Sequence, residues 1–307
     1  MEDRSRFQEP ENAKRPIESM AETRRLSSAV LPRCFRKGIF RKGMNMRVVS
    51  GVRQLFRDPV EAYHKAVSQW YERNDPDDTP YTYVPDANWR ERLGVTGDDR
   101  ERVNRLCRSI EATLTAKGIR PGPESYLFWN DGDPALLQAI WRLIIRVNAA
   151  KVVETGVAHG VTSRIILEGL TGSGHLWSVD LPPAWAPGVH LEIGAAVAER
   201  SPDRWSLIAG SSRRRLPELL PRIAPIDLFI HDSSHTRYNM LLEMNKAWPA
   251  LRPGGALVVD DIDLNPAFAE FSRSVRCEQY ICEAEPIRPE ERRFNQKGLF
   301  GILLKPQ

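Results

Sequence analysis

The chain has 307 residues, of which 41% are hydrophobic and 27% charged, and its formal net charge is +4. This length suggests about two domains and allows a full-sized core without disulfide or metal support. No stretch of 18 or more apolar residues occurs and the first fifty residues lack a continuous apolar segment, so the sequence predicts neither a membrane span nor a secretory signal. The four cysteines form no CxxC pair, which argues against a disulfide framework or a cysteine zinc site and favours a cytoplasmic protein.

The basic excess is confined to the first part of the chain. Residues 1–58 hold 14 Lys and Arg against 7 Asp and Glu, a net charge of +7, whereas the other residues hold 30 against 33, a net charge of −3. Such a run is typical of a solvated, flexible tail, with a patch for nucleic acid or anionic lipid, or a transit peptide, as alternative interpretations. We therefore expect residues 1–57 to form a basic leader.

Helical patterns follow the leader. Asp58-Pro59 predicts a helix start, because an aspartate cap precedes a proline in the first turn. Apolar residues then recur at helical spacing: Val60, Tyr63, Val67, Trp70 and Tyr71. Residues 74–85 are rich in turn formers and predict an ordered loop. Two more helices are predicted over 98–117 and from Asp133-Pro134 to Val147.

Short β-branched runs then alternate with helical stretches. The predicted strands are 151–154, 176–180, 205–209, 226–231 and 256–260. The predicted helices between them are 162–170, 189–200, 213–220 and 234–251. Strands separated by helices of this length imply right-handed crossovers, so we expect a parallel sheet covered on both faces. Two further runs, 278–283 and 298–305, predict an antiparallel pair that closes the sheet.

The strongest chemical signal is the run VVETGVAHGVTS, residues 152–163. Here a buried strand ends in an acid and passes through a glycine loop into a helix. Gly156 and Gly160 allow a sharp turn and a close approach of the backbone to a ligand. A dinucleotide-binding site has the pattern G-x-G-x-x-G, which this loop lacks. A short-chain dehydrogenase has a third glycine at the position of Thr162 and a Tyr-x-x-x-Lys motif. Here the residue four after Tyr238 is a leucine, so that motif is not formed. The spacing therefore disfavours a dehydrogenase.

The loop resembles motif I of the class I S-adenosylmethionine-dependent methyltransferases, an acid-x-Gly-x-x-x-Gly pattern, and further landmarks of that family follow in order. Asp180 ends the second predicted strand, where the family places an acid on the ribose hydroxyls, and Ser211 follows the third, where the family contacts adenine. Leu251–Asp260 (LRPGGALVVD) matches the family's L-x-P-G-G turn. The resemblance covers about residues 130–307. It implies a Rossmann-like α/β fold whose mostly parallel, seven-stranded sheet has an antiparallel terminal strand.

The resemblance also implies S-adenosylmethionine as the methyl donor. The residues expected to bind it are Glu154, Gly156, Gly160, Thr162, Ser163, Asp180, Ser211 and Asp232.

Three carboxylates, those of Asp232, Asp260 and Asp261, follow the fourth and fifth predicted strands. Ligands bind at such strand ends in open α/β sheets, so we expect these groups to converge. Clustered carboxylates repel unless a cation holds them, and hard oxygen ligands suit Mg²⁺ or Mn²⁺. The pattern resembles the metal-dependent O-methyltransferases of the catechol type and their macrolide-sugar and cephalosporin-tailoring relatives. Asp261 stands where the catechol-type family usually has an amide, and Asp260 and Asp261 could instead cap the following segment.

His235 lies three residues after Asp232, where the catechol-type family carries its lysine base. An imidazole with a pKa near 6.5 could accept a proton from a metal-bound hydroxyl. The alternative is a histidine at a helix start that only bonds the loop. We expect His159 to orient the glycine loop and His231 to be buried on the opposite face of its strand.

Together these features predict divalent-metal-assisted methylation of a hydroxyl on a small molecule of sugar or natural-product type. Residues 58–129 are expected to form a helical lid over the substrate site, and 130–307 the methyltransferase domain. One alternative is a nucleic-acid methyltransferase that grips its substrate through the leader, which the lack of Asn-Pro-Pro-Tyr or Asp-Pro-Pro-Tyr after the fourth strand disfavours. Another is a binding or tailoring protein that keeps the fold without methyl transfer. A homo-oligomer is compatible with the sequence.

Overall fold

The computed structural model describes residues 58–119, 133–181, 192–197, 203–284 and 298–307. The basic leader lies outside these ranges. The described helices are α1 Pro59–Asn74, α2 Trp89–Leu93, α3 Gly97–Ala116, α4 Pro134–Arg146, α5 Val161–Gly169, α6 Ser212–Ile223, α7 Arg237–Ala250 and α8 Ala267–Ser274, with a 3-10 turn at Ile262–Leu264. The strands are β1 Lys151–Thr155, β2 His175–Asp180, β3 Trp205–Ala209, β4 Ile226–His231, β5 Leu251–Val259, β6 Glu278–Glu283 and β7 Leu299–Leu304.

The seven strands form one sheet in the order β3-β2-β1-β4-β5-β7-β6. Strands β1 to β5 pair in parallel, whereas β7 runs antiparallel to both β5 and β6. This is the mostly parallel, seven-stranded Rossmann-like sheet that the sequence predicts. The chain order reverses direction at β1 and β4, and the carboxyl ends of the parallel strands on both sides of that point share one edge.

The sheet is covered on both faces, and its central strands carry apolar residues on each face. In β1, Val152 packs into one hydrophobic cluster with residues of α4 and α5, while its neighbour Val153 packs into a second cluster with residues of α6, α7 and α8. The same alternation places Leu228 on the first face of β4 and Phe229 on the second. Both clusters are thus built by the period of two that a strand imposes.

Two helix starts follow the local sequence as predicted. Asp58 caps α1 by accepting a hydrogen bond from the Glu61 N–H, and Asp133 caps α4 by accepting from Ala135 and Leu136. Proline occupies the first turn of both helices, where its missing N–H costs nothing. The dipeptide Asp-Pro therefore correctly predicted where α1 and α4 begin.

Helix α3 packs against the domain as part of its outer layer. A capping box of Thr96 and Asp99 starts it. Its buried residues Val103, Ile110 and Leu114 join α4 and α5 in a third hydrophobic cluster. The part of the expected lid that follows α3, residues 120–129, lies outside the described residues. None of the described helices combines the length and apolar character that crossing a membrane requires.

The predicted helix over 189–200 is wrong in its described part. Residues 192–197 form turns. The reason is that the backbone N–H groups of Gly194 and Ala196 donate to the carbonyl oxygens of Ala158 and His159 in the glycine loop, instead of to groups within a helix. Tertiary hydrogen bonding has overridden an apolar pattern that fits a helix.

Helix α1 has its polar side toward the domain and its apolar side toward solvent. Tyr63 is 64% exposed and Trp70 is 60% exposed, whereas Glu61 is only 4% exposed. The carboxylate of Glu61 accepts the N–H of Ser211, at the end of β3. A polar helix face fits here because the underlying strand ends and helix starts present unpaired N–H groups. Most of the apolar residues from which this helix was predicted are therefore exposed and do not belong to the core.

Candidate active site

Hydrogen bonds beyond the strand ends hold four neighbouring strands at one edge of the sheet. The N–H of Gly156 donates to the carbonyl of Val179 in β2, and the N–H of Asp232 donates to Thr155 in β1. The N–H of Asp260 donates in turn to the carbonyl of His231 in β4. The loops after β1, β4 and β5 therefore start from fixed positions, side by side.

The glycine loop makes the closest of these approaches. Gly156 has φ +82°, and a Cβ built on it would lie 1.7 Å from the carbonyl oxygen of Asp232. Gly160, also at φ +82°, would place a Cβ 2.9 Å from the Cα of Gly194. Both predicted glycines are thus required, because they let the loop turn and pack against backbone.

Asp180 lies at the carboxyl end of β2, beside the glycine loop. Its Oδ2 accepts hydrogen bonds from the N–H groups of Val157, at 2.8 Å, and Ala158, at 3.1 Å. The carboxylate therefore fixes the conformation of the loop. Its expected contact with a ribose stays a prediction.

Glu154 is fully buried in β1. Its Oε2 accepts hydrogen bonds from the hydroxyls of Ser163, at 2.6 Å, and Ser178, at 2.7 Å. Glu154 and Ser163 thus join β1 to the first turn of α5 and to β2, a supporting role that the sequence-based list of cofactor contacts did not include. Whether either residue also contacts the cofactor stays a prediction.

Two hydroxyls expected at the cofactor site are buried without a hydrogen-bond partner among the described residues. They are Thr162 Oγ1, in the first turn of α5, and Ser211 Oγ, at the end of β3. Buried polar atoms are normally paired, so unpaired ones indicate the place of a ligand or water. Together with the glycine loop, they make a polar cradle that suits a nucleoside-containing cofactor.

Asp232, His235 and Asp260 come together after β4 and β5. One ligand atom from each of these residues lies within 4.8 Å of the others, close enough to hold one metal ion. Asp261 is adjacent, with its Oδ2 3.7 Å from His235 Nδ1, while Asp232 Oδ1 lies 3.7 Å from His235 Nε2. Asp232 and Asp260 thus lie together with His235, whereas Asp261 contacts the other ring nitrogen of that histidine, and metal binding by these residues stays a prediction.

Electrostatics in this cluster favour a cation. Burial, reinforced by the charges of Asp261 and Asp232, raises the pKa of Asp260 well above its ordinary value. Burial also lowers the pKa of His235, against the opposing effect of Asp261. A positive ion among these groups would relieve the repulsion between carboxylates and stabilise their charged forms. Two carboxylates and an imidazole are suitable ligands for Mn²⁺, and the carboxylates for Mg²⁺.

Sequence reasoning missed the residues that support this cluster. Glu243 of α7 is fully buried, and its Oε2 lies 2.6 Å from His231 Nδ1, so His231 is buried as expected but is tied to a carboxylate. The fully buried Asn265 donates from its side chain to the carbonyl of His235, at 2.8 Å. Asn265-Pro266 is a turn signal in the sequence, but nothing in the sequence connects it with His235.

The remaining histidine of the motif behaves as expected. His159 is fully buried within the glycine loop, and its Nε2 lies 3.2 Å from Glu192 Oε2. This contact links the loop to the turn segment 192–197 that packs on it. The position of His159 fits a group that orients the loop.

Comparison with known proteins agrees with this architecture. Residues 153–262 match the family model described as a methyltransferase domain. This segment runs from β1 to the turn after β5 and includes the glycine loop and the carboxylate cluster. No curated protein matches the chain in a sequence search.

Solved structures with a similar fold include several O-methyltransferases. A candidate O-methyltransferase from Klebsiella pneumoniae matches with a TM-score of 0.50 and 14% identity over 71% of this chain and 100% of its own. The O-methyltransferase of Bacillus cereus in complex with SAH has a TM-score of 0.48 and 14% identity over 78% of this chain and 97% of its own. TomG from Streptomyces achromogenes, involved in tomaymycin synthesis and bound to SAM, has a TM-score of 0.48 and 16% identity over 66% of this chain and 90% of its own. At these identities the likeness concerns the fold.

Motif order, strand order and the family model agree on one class of protein. Residues 153–262 belong to a methyltransferase domain, so the expected class I S-adenosylmethionine-dependent methyltransferase and its Rossmann-like fold are confirmed, and the metal-dependent subgroup stays a prediction.

Proposed function

We propose that this enzyme transfers the methyl group of S-adenosylmethionine to a hydroxyl oxygen of a small molecule, assisted by a divalent cation. The observation that carries this proposal is the convergence of Asp232, His235 and Asp260 beside the glycine loop. A general fold likeness to O-methyltransferases is consistent with an oxygen acceptor. The acceptor type, sugar or other natural product, rests on the sequence resemblance alone.

The cofactor would bind across the ends of β1, β2 and β3. S-adenosylmethionine supplies a methyl group already activated by its sulfonium, so the protein has mainly to align the reactants. The loop at Gly156 and Gly160 gives backbone access, and Asp180 keeps that loop in place. Thr162 and Ser211 offer hydroxyls that have no partner among the described residues.

A cation would be held at the ends of β4 and β5 by Asp232 and Asp260. A divalent ion supplies positive charge that lowers the pKa of a hydroxyl bound to it. Either His235 or Asp261 would complete the site, since both lie beside these carboxylates. If Asp261 is the third ligand, His235 is left as the base, and its lowered pKa keeps the imidazole neutral near pH 7 and able to accept the hydroxyl proton at Nε2.

The domain organisation forms part of the same proposal. Residues 130–307 would carry out methyl transfer and the segment 58–129 would cover the substrate, with the leader 1–57 dispensable for both. The contacts of α1 with the loops after β3 and β4 support the covering role, because those loops border the candidate site.

The cofactor half of the proposal is tested by titration calorimetry with S-adenosylhomocysteine and, as the control, NAD. We expect S-adenosylhomocysteine to bind and to raise the melting temperature, and NAD to do neither. Heat from NAD with none from S-adenosylhomocysteine would overturn the proposed cofactor.

The metal half is tested by Mn²⁺ binding, which needs no knowledge of the acceptor. The wild type should bind one Mn²⁺ per chain, and Asp260→Ala should lose it, while Asp98→Ala, an exposed carboxylate of α3, should not. His235→Ala separates the two assignments: retained binding makes His235 a base, and lost binding makes it a ligand. Methyl transfer that continues in chelator would remove the metal from the mechanism.

A further inference from the structure

The polar face of α1 lies along the edge of the sheet where the cofactor is proposed to bind. At its start, Glu61 Oε1 accepts the N–H of Ser211 after β3, at 3.0 Å. Near its end, Glu72 Oε1 accepts from the hydroxyl of Ser234 after β4, at 3.5 Å. Since β2 and β1 separate β3 from β4 in the sheet, the helix passes over the ends of all four strands.

This interface contains an unusual set of unsatisfied polar atoms. Among the described residues, Glu61 Oε2, His64 Nδ1, Ser211 Oγ and Arg213 Nη1 are buried and have no hydrogen-bond partner. Glu61 Oε2 has only an ion-pair contact, at 3.7 Å from Arg214. Each buried polar atom left unpaired is unfavourable, and a group of them on facing surfaces indicates a missing ligand.

Glu61 links three of these four groups. Glu61 and His64 are three residues apart and share one face of α1. Ser211 contacts Glu61 directly, and Arg213 follows two residues later in the first turn of α6, with its guanidinium 5.4 Å from the ring of Tyr238. Tyr238 in turn stacks on Tyr71 of α1, with 4.2 Å between ring centroids.

The chemistry of the set matches a purine base. Adenine presents an amino donor beside ring nitrogens that accept hydrogen bonds, so it needs a neighbouring acceptor and neighbouring donors. Glu61 offers the acceptor, while the hydroxyl of Ser211 and the imidazole of His64 offer donors. Asp180 ends β2, the strand between the glycine loop after β1 and Ser211 after β3. A nucleoside bound beside Asp180 would therefore reach from the glycine loop toward Ser211.

From this arrangement we infer that Glu61 and His64 of α1 contact the adenine of the cofactor, so that α1 is a wall of the cofactor pocket as well as a cover for the acceptor. The inference rests on the proposed function. It makes residues outside the matched methyltransferase segment part of cofactor recognition.

The test compares S-adenosylhomocysteine with S-inosylhomocysteine, in which oxygen replaces the adenine amino group. The wild type should prefer S-adenosylhomocysteine by about tenfold, because the carboxylate of Glu61 repels the oxygen of the analogue. Glu61→Gln keeps one oxygen for the Ser211 N–H and puts an amide NH₂ in place of Oε2. This variant should lose the preference or reverse it, a change that a purely structural role would not produce.

His64→Ala should weaken S-adenosylhomocysteine binding by about 5- to 30-fold. The control is Gln69→Ala, an exposed residue of the same helix, which should bind as the wild type does. The melting temperature of each variant without ligand, Glu61→Gln included, shows whether that variant folds.

The outcomes separate the inference from the proposed function. If the wild type does not bind S-adenosylhomocysteine, the proposed function fails. If the wild type binds it and both variants match the wild type in affinity and in the choice between the two ligands, α1 does not contact the adenine and the inference is overturned.

Discussion

At Gly156 the absence of a side chain determines how closely two strand ends approach. The backbone carbonyl of Asp232 occupies the position that a Cβ would take, and φ at this glycine is +82°. Both features oppose substitution, but they do so in different ways. The first is a clash with backbone that cannot move without separating β1 from β4, and the second is a conformational preference.

Gly156→Ala should therefore destabilise the protein strongly, by at least about 3 kcal/mol, because steric and backbone strain add. Gly172→Ala is the matched control, since Gly172 has φ +57° and open space around its Cβ position. Gly172→Ala should lower the free energy of unfolding by only about 1–2 kcal/mol, because alanine is less stable than glycine in the left-handed conformation. Urea denaturation of both variants measures the difference, and equal losses would show that the approach to Asp232 is not rigid.

The residues that face ligands were more predictable from sequence than the residues behind them. Asp232 and Asp260 were readable because each follows an apolar strand, and parallel strand ends meet. The role of Glu243 could not be predicted in this way, because it depends on which face of α7 packs on β4. Tertiary contacts determine that face. A sequence pattern gives the position of a charge along a helix but not the group that it meets.

At the scale of elements, a set of charged contacts joins the segment after α1 to the domain. Arg237, at the start of α7, makes ion pairs with Asp75 at 2.9 Å and with Glu270 at 2.7 Å. Its backbone N–H donates to Asp78 Oδ1. The hydrogen bonds that Arg237 donates to Glu270 and Asp75 raise the pKa of its guanidinium, against the effect of partial burial. One arginine thus links the segment following α1 to both α7 and α8.

Arg237→Met keeps the length of the side chain and removes its charge, so it should lower the free energy of unfolding by about 1–2 kcal/mol at low salt. The loss should be smaller at high salt, where the wild-type pairs are screened. Arg105→Met is the matched control, because the pair of Arg105 with Glu101 is exposed and should contribute under about 0.5 kcal/mol. Guanidinium is itself a salt, so unfolding by urea is the appropriate measurement. Equal effects from both variants would contradict the role of Arg237.

Predicted helices succeeded where local caps agreed with the apolar period, as in α1 and α4, and failed where they did not. The segment 192–197 has apolar residues but gives its N–H groups to the glycine loop. In α1 the helix was predicted correctly, but the apolar side is the exposed one. Periodicity identifies a helix, but which side is buried depends on the surface that it meets.

At the scale of the whole molecule, a fully buried carboxylate, that of Glu243, is hydrogen-bonded to two central strands of the sheet. Glu243 Oε2 contacts His231 of β4 and Thr155 of β1, and its Oε1 accepts from Ser233 at 2.7 Å. Although burial opposes the charge, His231 and these donors lower the pKa of Glu243 to about 2. This carboxylate joins α7 to β1 and β4, so its ionisation is coupled to global unfolding.

This predicts the sign of a pH effect. Because the folded-state pKa is below the unfolded value of 4.5, Glu243 stabilises the fold above about pH 4.5 and loses that contribution as the pH falls toward 2. Glu243→Gln should be less stable than the wild type at neutral pH by about 3 kcal/mol or more, since it removes the buried carboxylate that accepts hydrogen bonds from Thr155 and Ser233. The difference in the free energy of unfolding between the variant and the wild type should become smaller as the pH falls. A difference that is constant from pH 7 to pH 3 would show that ionisation of Glu243 does not contribute.

The outward apolar side of α1 has a thermodynamic consequence. Tyr63 and Trp70 are already in water while the helix is docked, so detaching α1 would expose polar and charged groups and, among large apolar surfaces, chiefly the stacked rings of Tyr71 and Tyr238. Hydration of apolar surface is what produces a large heat-capacity change, and little of it accompanies this step. The docking equilibrium of α1 should therefore shift only weakly with temperature and strongly with ionic strength. Detaching α1 from the sheet edge should therefore expose less apolar surface per residue than unfolding the rest of the domain does.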